Sequence, residues 1–287
     1  MNKKVEPTSK GFRRILGLNL RQRTLATIAI TLLLLSIMVL SGIFIDSEKM
    51  SVNFEQSNQS PSIEHLFGTD WLGRDMLART LNGLMLSLGV GLFAAFVSTV
   101  IALVMSLLSF WSKTADYIVS WLTDLFLSVP HLVTLILISF VMGGGFKGVV
   151  IGLSLTHWPS LARVLRAEIL QIRNMEYVQV SYRLGKSKHW ITMRHIVPHL
   201  IPQLLVGFIL LFPHAILHEA AVTFLGFGLS PEQPAIGVIL SESMKYLSTG
   251  MWWLAFFPGL ALLIMVGLFD ILGNSFRKLI DPFNTRR

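Results

Sequence analysis

Residues 25–45 read LATIAITLLLLSIMVLSGIFI, twenty-one positions without a charge. As a helix rising 1.5 Å per residue, a stretch of about 20 apolar residues crosses the roughly 30 Å of a bilayer's hydrocarbon core. The basic run KGFRRILGLNLRQR (10–23) precedes it. A cleaved leader has a similar charged start, but its apolar core is usually about 7–15 residues and ends in small side chains. This core ends in Ile43-Phe44-Ile45-Asp46, so a retained helix is expected.

Five further apolar blocks follow, at roughly 84–110, 117–142, 148–166, 199–221 and 251–273. The chain is 53 % hydrophobic and only 14 % charged, where a soluble domain carries about 25 % charged residues; the mean hydropathy is +0.63. These blocks predict an all-α, polytopic membrane protein with six transmembrane helices. Of the 24 Lys and Arg residues, nineteen fall in segments 1–24, 113, 163–198 and 277–287. Basic residues gather on the cytoplasmic side of a membrane, so both termini are expected inside the cell membrane. The net charge of +8 is thus assigned to topology rather than to nucleic acid. With no cysteine, disulfides, thiolate metal sites and cysteine nucleophiles are excluded.

The expected organisation is a cytoplasmic tail (1–24), a first span (25–45), an extracellular segment (46–83), a transmembrane core (84–275) containing a cytoplasmic loop (167–198), and a C-terminal tail (276–287). Segment 223–250, rich in Gly, Pro and apolar residues, is expected to dip back toward the membrane. Pro130, Pro159, Pro213 and Pro258 fall inside predicted spans, where each removes a backbone donor and opens the helix. Gly83, Ser87, Gly91 and Ala95 recur every fourth residue, a small-residue stripe that lets another helix approach closely.

Within the cytoplasmic loop, residues 176–198 read EYVQVSYRLGKSKHWITMRHIVP. Gly185-Lys186-Ser187 imitates the end of a phosphate-binding P-loop. That motif needs a second glycine five residues before the first of these three; the position holds Val180, so no nucleotide site is expected. The same stretch resembles the EAA loop of binding-protein-dependent ABC importer permeases. Gln179-Val180-Ser181 stand at the Glu-Ala-Ala positions, Gly185 at the glycine and Pro198 at the proline. The ending His195-Ile196-Val197-Pro198 is similar to the peptide/nickel branch, which contains dipeptide, oligopeptide and nickel permeases. Gly68, Asp70, Gly73, Arg74, Asp75, Asp124, Pro130, Glu219-Ala220-Ala221, Gly226, Gly228, Asp281 and Pro282 match that branch as well, so the likeness spans roughly residues 65–283.

The resemblance implies a type I ABC importer permease fold and a pore-forming subunit that performs no chemistry. It implies pairing with a second permease as a heterodimer, two ATPase subunits carrying the ATP, and an extracellular solute-binding protein. No cofactor is expected on this chain. Coupling to the ATPase is expected through Glu176, Tyr177, Gln179, Ser181, Gly185, Lys186, Trp190, His195 and Pro198. The residues themselves agree: two amphipathic stretches, about 168–183 and 187–196, broken by Gly185, suit helix-in-groove recognition. Val178, Tyr182 and Trp190 are expected to insert into the partner, rimmed by Arg173, Arg183, Lys186, Lys188 and Arg194. Gln179 departs from the pattern's Glu, which removes a salt bridge at that position and leaves Glu176 or a neutral hydrogen bond to replace it. Ile236 stands where the branch has Trp, and Asp270 and Asn274 stand where it has Asn and Asp.

Ionisable groups in the predicted spans are Asp124, His131, His157, His214, His218, Glu219 and Asp270. Such residues cost a few kcal/mol to insert and usually face a cavity or a partner helix. His214 and His218 are one turn apart with Glu219 beside them, a candidate contact for a metal-containing solute; interhelical hydrogen bonding is the competing reading. Asp124 and Asp270 are expected to serve as partners for other helices. A rival function, an ion-coupled transporter using Asp124, Glu219 and Asp270 as proton carriers, leaves the 167–198 loop without a role. An intramembrane hydrolase lacks a nucleophile–base pair, since Ser241-Glu242-Ser243 has no histidine near it in sequence.

Overall fold

A computed structural model describes residues 20–280 apart from Asp46. The tails, with Asp281 and Pro282, lie outside the described residues. Among the described residues the chain is helical, without strands: α1 (Leu20–Phe44), α2 (Met76–Trp111), α3 (Lys113–Ser128), α4 (His131–Val141), α5 (Gly145–Arg173), α6 (Glu176–Arg183), α7 (Lys188–Ile191), α8 (Val197–Phe224), α9 (Ile236–Leu247) and α10 (Trp253–Ile280).

By length and apolarity α1, α2, α10 and the run from α7 through α8 can each cross a membrane. The expected span at 117–142 is two helices, α3 and α4, bent by 100°. Pro130 explains the break: it disfavours helical backbone in the residue before it, and Val129 is extended, with φ −95° and ψ 141°. The expected span at 148–166 is the middle of α5, which carries Lys147, Arg163, Arg166, Glu168 and Arg173 and is too polar to stand among the membrane-length apolar helices. Its polarity fits its place. It packs against α2, α3, α4 and α8, and Arg166 makes a bidentate pair with Asp116 of α3 at 2.6 and 2.8 Å.

Two expected boundaries move. Asp75 caps α2 by accepting from the Ala78 amide at 2.9 Å, so the helix starts at Met76, inside the segment expected to be extracellular loop. At the other end α5 runs unbroken to Arg173, so the amphipathic stretch expected at 168–183 is the tail of α5 plus the separate α6.

The small-residue stripe packs α2 against its neighbours. A Cβ on Gly91 would meet Ile216 of α8 at 2.6 Å, and one on Gly83 would meet the Pro234 carbonyl just before α9 at 2.7 Å. Serines do the same between α2 and α5: Ser98 Oγ donates to the Ser154 carbonyl at 2.9 Å and Ser106 Oγ to that of Ala162 at 3.1 Å. Segment 223–250 contains an ordered helix, α9, wedged against α8, α10 and α2.

Candidate functional site

At the C-terminal end of α2, α5 turns into α6 and α7. Lys188 Nζ ties this elbow to the end of α2 by donating to the Trp111 carbonyl at 3.1 Å. α6 stops at Gly185, whose φ is +75°. The Lys186 amide donates to Ser181 O at 3.1 Å and the Gly185 amide to Tyr182 O at 3.0 Å, the paired bonds of a Schellman cap. Only glycine adopts that left-handed conformation without strain. Ser187 then caps α7, accepting from the Trp190 amide at 3.2 Å.

The elbow's faces differ from the expectation in one respect. Val178 is fully buried with Ile172, Ile191 and Ile196, so it is no docking residue: it glues α6 onto the elbow's own core. Tyr182 is half-buried against the same cluster, and that desolvation pushes its phenol above the ordinary range, with Arg173 opposing. The outward apolar surface is Tyr177, Val180, Leu184, Trp190 and Met193, with Leu184 72 % exposed. His195 sits between the Tyr177 and Trp190 rings, 5.2 Å from each centroid; its Nε2 lies 3.0 Å from Ser181 Oγ. Lys186 Nζ lies 5.2 Å over the Trp190 ring. Glu176 opens α6, exposed, and Pro198 sits at the start of α8, which directly follows the π-helical turn Thr192–Ile196, where its missing amide removes one donor from the continuous helical run. Gln179 donates its side-chain amide to the Arg173 carbonyl at 2.7 Å, capping the end of α5.

A second constellation lies inside the bundle. His131 begins α4, His157 lies in α5 and His218 in α8, and one ring nitrogen from each falls within 4.8 Å of the others. Ring centroids are 4.4 Å apart for His131–His157 and for His131–His218, and 5.2 Å for His157–His218. His214, one turn before His218, is exposed and within electrostatic reach of all three. Glu219 is not part of this group. It is fully buried, its Oε1 accepts from Thr223 of its own helix at 2.9 Å, and its Oε2 has no hydrogen-bond partner among the described residues. Sequence proximity paired His218 with Glu219, but adjacent residues on a helix diverge by about 100°.

Residues 98–286 match the family model described as binding-protein-dependent transport system inner membrane component. The chain belongs to this family. This permease is 33 % identical over 257 residues to a putative peptide transport system permease protein of Brucella suis, covering 88 % of this chain and 86 % of that protein. It is 30 % identical to the dipeptide transport system permease protein DppC of Bacillus subtilis, covering 88 % and 79 %. Among solved structures, the inward-facing MetNI methionine ABC transporter shares the fold, with a TM-score of 0.59 at 19 % identity over 72 % of this chain and 98 % of that one. The permease is a non-catalytic, multi-pass membrane subunit of a binding-protein-dependent ABC importer.

The permease's remaining pattern residues serve its architecture. Asp70 is fully buried. Its Oδ1 accepts from the Leu72 and Arg74 amides, both at 2.9 Å, and its Oδ2 from Arg74 Nε at 2.7 Å and Arg79 Nη1 at 2.8 Å. Arg79 continues to Glu242 of α9 at 2.9 Å. Gly68 and Gly73 are left-handed turns in this cap. Asp124 pairs with Arg163 of α5 at 2.7 Å, exposed. Asp270 accepts from Asn274 within its own helix at 3.0 Å and helps line a groove with Arg21, Arg23 and Lys278. Gly226 ends α8 in a left-handed turn, and Gly228 packs on Thr223. Arg79 and Glu242, the link from cap to α9, were missed by sequence reasoning.

Proposed function

We propose that this permease carries peptide-class solutes, or metal complexes of such solutes, and forms half of a pore completed by a second permease. Two partner ATPase subunits bind and hydrolyse ATP, and an extracellular binding protein delivers the solute. Both termini and the elbow face the cytoplasm, in keeping with the clustering of Lys and Arg there. The observation that carries this reading is the elbow's exposed apolar face. Tyr177, Val180 and Leu184 recur along one side of α6 and its C-cap and are exposed, on a stretch that also carries Arg173, Arg183, Lys186 and Lys188. A groove on an ATPase subunit would cover such a face. The names of the relatives, peptide and dipeptide permeases, support the solute class.

The proton-relay alternative has less to stand on: Asp124 is exposed and paired with Arg163, and Asp270 is exposed. The test is uptake of a labelled dipeptide into vesicles holding the full transporter, its binding protein and internal ATP. Gly185→Pro forces φ to about −65° where the elbow needs +75°, and removes the amide that bonds Tyr182 O. The expected result is a folded complex whose ATP-dependent uptake falls at least tenfold. Proton-driven uptake by the isolated chain would overturn the reading.

A further inference from the structure

We infer that His131, His157 and His218 form a binding site for a late first-row divalent metal ion, of the nickel, cobalt or zinc class, in the wall of the solute path. The inference deepens the proposed function, on which its placement in the path rests.

The geometry is close to that of a three-imidazole site. Ligands about 2.1 Å from a tetrahedral ion lie about 3.4 Å from one another. His157 Nε2 and His218 Nδ1 are 3.3 Å apart, and a nitrogen of His131 completes a set within 4.8 Å. The tautomer of His157 is already set for ligation. Its Nδ1 donates to the Leu153 carbonyl at 2.9 Å, which leaves Nε2 with its lone pair directed at the cluster. Metal-binding histidines characteristically anchor their second nitrogen in this way. His131 Nδ1 is buried with no hydrogen-bond partner of good geometry among the described residues, with the Thr156 backbone the nearest polar group that acts on its ring.

The surroundings fit a transit site rather than a storage site. α4 starts at the 100° break after Pro130, and α5 and α8 contain Pro159 and Pro213 close to His157 and His218. The α3–α4 break is a real interruption, and the prolines in the continuous helices α5 and α8 each remove a backbone donor beside the cluster. No carboxylate joins the group: Glu219 bonds Thr223, and Asp124 bonds Arg163. Three neutral imidazoles select such ions without neutralising their charge. The fourth position is left for water or for a donor of the carrier that brings the ion. Binding of that kind lets the cargo leave again.

The experiment uses the full-length permease in nanodiscs, purified without a polyhistidine tag and titrated with Ni²⁺, Co²⁺ and Zn²⁺ alone. One saturable ion per chain is expected. His131→Ala, His157→Ala and His218→Ala should each weaken it by more than the 10–100-fold of an outer-shell change, while His214→Ala keeps the site. X-ray absorption of the Zn²⁺-loaded wild type should show three imidazole nitrogens at about 2.0–2.1 Å, a readout that stands even where a variant fails to fold. Absence of saturable binding, fewer imidazoles, or binding that survives all three substitutions (an ion held by other histidines) overturns the site. Because these measurements involve no ATP, partner or uptake, their failure is separate from failure of ATP-driven dipeptide import.

Discussion

The two ends of α2 are built on opposite plans. At its start, the cap of residues 49–75 closes on itself: every hydrogen bond made by buried Asp70 ends within the cap or on Arg79 of α2, and Arg79 hands the network on to α9. At its finish, the elbow of α6 and α7 shows the reverse. Leu184, Val180 and Tyr177 stand in the open, and few side-chain bonds tie the elbow to the rest of the chain. The cap exposes apolar side chains too, Phe54, Ile63 and Leu66 among them, so the difference between the two ends lies in the buried ion-pair network that the cap has and the elbow lacks. The contrast assigns a stabilising role to the cap's network and leaves the elbow the more loosely tied of the two ends.

Breaking the cap should do the most damage. Asp70→Asn leaves Arg74 and Arg79 without their shared anion, and removing one partner of a buried ion pair costs about 3–5 kcal/mol. The expected outcome is a large fall in thermal stability of the detergent-solubilised protein; an unchanged melting curve would refute the cap's structural role.

A matched pair of glycine substitutions sharpens the comparison. Gly73 and Gly185 have nearly the same left-handed φ, +74° and +75°. Alanine at either costs about 1–2 kcal/mol of backbone strain. At Gly73 the new Cβ would also fall 1.7 Å from the Asn53 carbonyl oxygen, whereas at Gly185 nothing lies within 4 Å. Gly73→Ala should therefore destabilise clearly more than Gly185→Ala, measured by the same unfolding assay. Equal losses would mean that the cap yields as freely as the elbow.

Much of this was legible in the chain. Hydropathy located the helices, and Pro130 marked a real break because proline acts on its neighbour's backbone whatever the tertiary setting. Val178 was misread for a physical reason: an amphipathic period shows that a short helix has an apolar face, not whether that face meets its own protein or another. The Arg79–Glu242 pair spans 163 positions, and no local pattern encodes it. His214 and His218 share a helical face, as their spacing implied. Their association with His131 and His157 depends on how α4, α5 and α8 meet, which periodicity along one helix cannot report.

The smallest effect concerns Gln179. Its side-chain amide donates to the Arg173 carbonyl at the end of α5, where the helix dipole places partial negative charge. A carboxylate there has no proton to donate and meets the wrong sign of field. Gln179→Glu should thus lower stability by about 0.3–1 kcal/mol, and more than Gln179→Ala, which loses the bond but adds no charge. Chemical denaturation of the three proteins side by side decides the order. If the Glu variant equals the wild type, the amide's bond to α5 is incidental; if it is the weakest of the three, the glutamine is matched to a carbonyl of its own chain.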